Sequence, residues 1–167
     1  AIMSVCAILL PFLNQHILYT RSPYLGKLML KIMGIKLKVT GCFPLKNGPF
    51  IIMFNHSSFI DAFLFPSIFR GKYTGLTAKE NFNIPFFAQL MKRFKIIPID
   101  RKNIKTAMKS LDKAEKYLKK GFHIGLLPEG SRSQDGRLQA FKKGGFHLSY
   151  KSKMSILPIG IKGAFQY

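Results

Sequence analysis

From residue 35 onward, short apolar segments alternate with segments of helix length, and this alternation limits the possible folds more than any other feature of the chain. Residues 35–39, 50–54, 73–78, 95–99, 122–127 and 156–161 read as strands, because they are short, rich in Ile, Leu and Phe, and bounded by Gly, Pro or Asn. Between them, residues 59–69, 84–94, 103–120 and 144–151 read as helices. Such strands are apolar along their whole length, as expected where helices cover both faces of a sheet. The prediction is an α/β domain with a central, mostly buried mixed sheet flanked by helices. Pro158 restricts the last strand to a sheet edge or a bulge, because proline has no N–H for a ladder.

The first 34 residues are different in character. Residues 1–19 are strongly apolar but interrupted by Asn14, Gln15 and His16, which makes them borderline against the ~20 apolar residues a spanning helix needs. No basic region precedes them and no small-residue cleavage site follows, so they do not read as a secretory signal. Ser22-Pro23 reads as an N-cap with proline at the first helical position, predicting a second, amphipathic helix over 24–33. Two apolar helices ahead of a basic domain predict an in-plane membrane-docking motif over residues 1–34, with the α/β domain over 35–167. Core helices of a soluble protein are the alternative. The chain opens on Ala1 and stops at Tyr167 just after an apolar run, so both ends are expected to be incomplete.

Charge narrows the choice of partners. The 27 Lys and Arg against 7 Asp and Glu give a formal net charge of +20, which favours anionic lipid headgroups, phosphorylated substrates, acidic carriers or nucleic acid. In the 103–120 helix, Ile104, Ala107, Met108, Leu111, Ala114 and Leu118 form one apolar face. Lys102, Lys105, Lys109, Lys113, Lys116 and Lys120 gather opposite, within roughly 120° at about 100° per residue. That lysine face is either merely solvated or attractive to anionic lipid or an acidic acyl carrier. Cys6 and Cys42 lack metal-ligand spacing and suit a reducing compartment.

The chemistry-bearing residues sit where strands end, which is where open α/β sheets bind ligands. Asn55-His56-Ser57-Ser58-Phe59-Ile60-Asp61 follows the 50–54 strand. Ser57 or Ser58 can cap the next helix. Asp61, in the first turn, can accept a hydrogen bond from one imidazole nitrogen of His56 and leave the other free as a base. On spacing alone, a helix-capping aspartate beside an incidental histidine explains the same residues. Pro128-Glu129-Gly130-Ser131-Arg132-Ser133 follows the 122–127 strand. Gly130 permits close backbone approach, Ser131 and Ser133 supply hydroxyls, and Arg132 offers a fork matched to phosphate oxygens. Asp100-Arg101 ends the 95–99 strand, where Arg101 is either a second phosphate ligand or half of a local ion pair.

Taken together and in order, these blocks resemble the glycerolipid acyltransferases typified by 1-acylglycerol-3-phosphate acyltransferase. The matching residues are His56 through Asp61 with four between, Ile99-Asp100-Arg101, Pro128 through Ser133, and the proline strand around Pro158, covering residues 50–160. Ser131 stands where threonine is more frequent in the family. The resemblance implies His56 as general base, Asp61 as its orienting partner, and an acceptor-phosphate site of Arg101, Glu129, Gly130, Ser131, Arg132 and Ser133. It places Pro158 on the acyl-donor side and residues 1–34 on an anionic membrane, at its cytoplasmic face. The implied donor is acyl-CoA or acyl carrier protein and the implied acceptor lysophosphatidate, with no cofactor and no metal. Glycerol 3-phosphate or another lysolipid is the alternative acceptor.

Rival chemistries find less support. No Gly-x-Ser-x-Gly elbow is present, so a serine hydrolase is disfavoured. Cys6 lies in the apolar leader, and Cys42 has no histidine nearby in sequence. No recognised nucleic-acid motif accompanies the positive charge, and no nucleic-acid partner is expected. His16, His123 and His147 read as structural or surface residues.

Overall fold

The computed structural model describes residues 14–43 and 48–167. The expected first helix over residues 1–19 lies mostly outside them, as does Cys6. Helix α1 spans Gln15–Ile32. Then follow β1 (Ile51–Phe54), α2 (Asp61–Ile68), β2 (Tyr73–Ala78), a 3-10 turn (Lys79–Asn83) and α3 (Pro85–Arg93). The chain continues through β3 (Ile97–Ile99), α4 (Ile104–Lys119), β4 (His123–Leu126), α5 (Gly144–Ser152) and β5 (Ile156–Ile159) to a final 3-10 turn, Ala164–Gln166.

Five strands form one sheet in the order β3-β2-β4-β1-β5, and every pairing is parallel. The expected mixed sheet is therefore corrected to a parallel one. A helix separates each strand from the next, and such a crossover returns the chain to the same end of the sheet, so each new strand must run parallel. The strands that contain proline, β3 with Pro98 and β5 with Pro158, occupy the two edges, where a missing N–H costs no ladder bond.

Alternate residues of β1 serve opposite cores. Ile51 and Met53 pack with Ile97, Leu111, Ala114, Leu118, Ile124 and Leu148 beneath α4 and α5. Ile52 and Phe54 pack with Tyr19, Phe50, Phe69, Tyr73 and Phe122 beneath α1 and α2. Both layers need space at the sheet surface. Gly75 and Gly125 are registered neighbours, and a Cβ on Gly125 would lie 2.8 Å from the Phe65 ring. That ring packs tilted against Phe69 and edge-to-face against Tyr73, with centroids 4.4 and 5.2 Å away.

Two expectations near the amino terminus are corrected. Ser22-Pro23 does not start a helix but lies inside α1, whose N-cap is Asn14, with its side chain accepting the His16 N–H. Proline removes the N–H that would bond the Tyr19 carbonyl. The buried Ser22 hydroxyl donates to that carbonyl instead, at 3.1 Å, so the helix continues. Residues 35–39 form no strand; they leave α1 through Gly34, with Leu37 and Val39 exposed, and lead back toward the start of β1. Lysine alternating with aliphatic residues mimics a half-buried strand, but no neighbouring strand pairs with it.

Helix α1 crosses α2 at close range. A Cβ on Gly26 would meet the Ser67 backbone nitrogen at 2.9 Å and the Phe63 carbonyl oxygen at 3.0 Å. Helix propensity alone favours Gly26→Ala by about 0.5–1 kcal/mol. Backbone atoms cannot swing aside as a side chain can, so overpacking of about 1–3 kcal/mol should win. Gly26→Ala is therefore expected to lower stability in urea unfolding.

Candidate active site

The site is built on the carboxyl ends of β1 and β4, adjacent strands of the parallel sheet. After Phe54 the chain turns outward, and Asn55 ties this turn to the segment beyond β5. Its Nδ2 donates to the Ile161 carbonyl at 2.9 Å, and its Oδ1 accepts the Ile161 N–H at 2.6 Å. His56 Nδ1 then lies 2.8 Å from Asp61 Oδ2. The same oxygen accepts the N–H groups of Ser57 at 3.1 Å and Ser58 at 3.2 Å. Asp61 is only 2% exposed and opens α2, where the helix N-terminus favours a negative charge. A carboxylate can only accept here, so Nδ1 carries the imidazole proton and Nε2 presents a lone pair. The fold thus brings His56 and Asp61 together, with one ring nitrogen held by the carboxylate.

Capping differs from expectation. Neither serine caps α2 by its side chain; Ile60 stands at the N-cap position without a side-chain bond. The Ser58 hydroxyl instead accepts the Ile60 N–H at 3.3 Å and donates to the Tyr167 carbonyl at 2.6 Å.

The second block clamps the first. Glu129 is 2% exposed, with Oε1 accepting the His56 N–H at 2.6 Å and Oε2 accepting the Gln139 N–H at 2.8 Å. The Ser133 N–H donates to the His56 carbonyl at 2.8 Å, so both backbone groups of His56 are held by this block. The Ser133 hydroxyl is buried near the Arg137 carbonyl and Asp135 Oδ1. Gly130 has φ 79°, a left-handed conformation that explains glycine there. Both oxygens of Glu129 thus serve backbone N–H groups, and its direct effect is on the position of His56 and the 133–139 loop.

Around His56 a cleft of about 140 Å³ is lined by Asn55, Ser57, Glu129, Ser133, Arg137 and Leu138, with Gly136. Arg132 and Ser131 are exposed beside it, and the Ser131 hydroxyl faces Gln139 Oε1 at 3.3 Å. Arg101 is exposed at the end of β3, and its neighbour Asp100 pairs with Lys79 at 2.6 Å rather than with it. Among the described residues neither Arg101 nor Arg132 has a carboxylate partner, so the local-ion-pair alternative for Arg101 fails. Pro158 lies on the edge strand opposite Met53 and is not part of the cleft wall.

Asn55, Arg137 and Gln139 were not legible as site residues. Only contacts made across the fold single them out. On one flank stands an apolar rim: Phe59, 51% exposed, contacts Phe63 and Phe87 with ring centroids 6.0 and 5.4 Å away.

A parallel α/β sheet carrying a carboxylate-oriented histidine at a strand end defines the class. The chain matches the Acyltransferase family over residues 17–162 and belongs to it. Among its relatives, the 1-acyl-sn-glycerol-3-phosphate acyltransferase of Limnanthes douglasii is 36% identical over 140 residues, 83% of this chain and 50% of that protein. The enzyme of the same name from Borreliella burgdorferi is 34% identical over 134 residues, 80% of this chain and 54% of that one. The crystal structure of the 1-acyl-sn-glycerophosphate (LPA) acyltransferase PlsC from Thermotoga maritima superposes with a TM-score of 0.69 at 25% identity. That match covers 87% of this chain and 57% of the other. The chain thus spans about half the length of these relatives.

Proposed function

We propose that the protein transfers a fatty acyl group from a thioester to the free hydroxyl of lysophosphatidate, making phosphatidate. The observation that carries this reading is the 2.8 Å His56–Asp61 contact, with Asp61 pinned by two further N–H groups. His56 Nε2 takes the proton as the acceptor oxygen attacks the thioester carbonyl carbon. The new C–O bond gives a tetrahedral oxyanion, which collapses as the C–S bond breaks. The departing thiolate receives the proton held by His56. The donor is already activated, so no covalent enzyme intermediate, metal or cofactor is required. Acyl-CoA and acyl carrier protein both satisfy this chemistry.

Arg101 and Arg132, without carboxylate partners among the described residues, are assigned to the acceptor phosphate with Gly130, Ser131 and Ser133, while Glu129 supports them through the loop it holds. The apolar rim at Phe59 suits an acyl chain, and Pro158 is assigned to the donor side. Arg132→Gln is expected to raise KM for lysophosphatidate about tenfold or more, the scale of a lost charge-assisted hydrogen bond of about 1.5–3 kcal/mol. Initial rates against acceptor concentration check this. A change confined to the acyl donor's KM would move Arg132 to the other substrate.

The reaction itself is tested by thiol release from acyl-CoA, and from acyl carrier protein, with and without lysophosphatidate. Release dependent on the acceptor supports the reading. Release indifferent to every lysolipid and to glycerol 3-phosphate would overturn it.

Docking at the cytoplasmic face of an anionic membrane, through residues 1–34, belongs to the same proposal. No helix among the described residues is long and apolar enough to cross a membrane. On α1, Ile17, Tyr24, Leu25, Leu28 and Ile32 are exposed at helical spacing, with Arg21, Lys27 and Lys31 nearby in sequence. Leu18 and Leu30 of the same helix are only 1% exposed, so substitution tests this surface better than deletion. Leu25→Glu with Leu28→Glu is expected to abolish co-sedimentation with anionic liposomes while leaving the fold intact. Undiminished sedimentation would remove α1 from the docking surface.

A further inference from the structure

A second cleft lies at the opposite end of the sheet from His56, where β1 and β4 begin. It encloses about 410 Å³ and is lined by Arg70, Lys72 and His123 with Gly48, Gly71 and Gly121. No carboxylate is among its lining residues. The catalytic cleft is smaller, at about 140 Å³, and lies beyond the other end of β4.

His123 is the unusual member. It opens a buried strand and is 8% exposed, a position that an aliphatic residue could fill without desolvating a polar ring. Its Nδ1 accepts the Phe50 N–H at 3.1 Å, and its ring stacks on Phe50 with centroids 5.9 Å apart. A nitrogen that accepts this bond cannot also carry a proton, so the proton sits on Nε2. Burial pushes the imidazole's pKa down, which keeps this neutral tautomer in place. Among the described residues nothing accepts from Nε2. One half of the ring is thus accounted for by the fold, and the other half is an unused donor at the cleft wall.

The flanking cations are also available. Arg70 and Lys72 are exposed and pair with no carboxylate among the described residues. Lys72 has its ammonium 6.0 Å from the Phe122 ring centroid, and Lys95 reaches the same ring at 5.1 Å. A neutral directed donor in the same cleft as a guanidinium and an ammonium suits a tetrahedral oxyanion better than a flat carboxylate, because a phosphate offers oxygens in three directions. We propose that this cleft is a second anion site, separate from the catalytic one, that takes a phosphate group on the His123 Nε2–H, Arg70 and Lys72. The phosphate is that of an anionic lipid headgroup or of a free phosphate compound.

The full chain would be titrated with inorganic phosphate while the imidazole ¹H–¹⁵N resonances are followed. A parallel arm would measure sedimentation with phosphatidylcholine vesicles containing phosphatidate. A saturable shift at His123 Nε2, accompanied by the Gly71 and Gly121 amides, is the expected result. Affinity should fall at least tenfold in Arg70→Gln with Lys72→Gln and stay unchanged in His56→Ala. Both substituted cations are exposed, so loss of folding does not confuse the comparison. Lys105→Gln with Lys109→Gln removes the same charge from α4 and serves as the control. Vesicle binding weakened in the Arg70/Lys72 variant but not in the control, with no response to inorganic phosphate, would assign the site to a lipid headgroup. A response to inorganic phosphate alone would assign it to a free phosphate. The proposal is overturned if neither source acts, or if the Arg70/Lys72 variant behaves like the control.

Discussion

His56→Ala is expected to lower acceptor-dependent thiol release by about 10²- to 10⁴-fold, the usual contribution of a positioned general base. The loss should fall on kcat and leave KM for lysophosphatidate nearly unchanged, because the proposed phosphate ligands are separate residues. Stability should change little. Asp61 keeps the Ser57 and Ser58 N–H groups when the imidazole is gone, so its buried carboxylate is not stranded. Circular dichroism and a thermal midpoint close to wild type would confirm that the fold survives. A variant that retains near-normal release would remove His56 from the chemistry and with it the mechanism proposed above.

Glu129→Ala is expected to be as damaging by a different route. Removing the carboxylate leaves the His56 and Gln139 N–H groups without acceptors beside a buried position. Each unsatisfied buried donor costs about 1–3 kcal/mol, so a stability loss of roughly 2–6 kcal/mol is expected in urea unfolding. Activity should fall about 10²-fold, since a displacement of about 1 Å at a reacting group has that effect. Glu129→Gln keeps one acceptor oxygen and should lie between. The kinetic split identifies the role. A positioning residue lowers kcat and stability together, whereas a direct phosphate ligand would raise KM for the acceptor at constant stability. The second pattern would return Glu129 to the phosphate site.

Much of this molecule was legible before any coordinates. The strand and helix segments follow from short apolar runs punctuated by Gly, Pro and Asn. All of the helices expected after residue 58 are present within a few residues of their bounds. Pro158 limits β5 to an edge or a bulge, because a missing N–H is a local fact, and the strand order selects the edge. His56 and Asp61 stood out through the resemblance carried by four ordered blocks, because their spacing alone fits an incidental histidine equally well; the fold is what brings the two side chains within 2.8 Å.

The misreadings have physical causes of the same kind. Ser22-Pro23 carries a helix-start signature, but the signature cannot reveal that Ser22 donates to the carbonyl left free by Pro23. Residues 35–39 carry strand periodicity, yet a strand exists only where a partner pairs with it.

What the sequence determined by itself is therefore whatever depends on near neighbours: periodicity, proline's missing N–H, and the spacing of His56 to Asp61. What tertiary structure alone decided is whatever depends on residues far apart in the chain meeting across the sheet. The Glu129 clamp joins residues 73 positions apart, and the Asn55 tether to Ile161 spans 106. Arg137 reaches the His56 cleft, and His123 reaches Phe50, by the same means. A hydrogen bond is satisfied by whichever acceptor the fold delivers, and local sequence does not specify a partner that only the packed sheet brings within 3 Å.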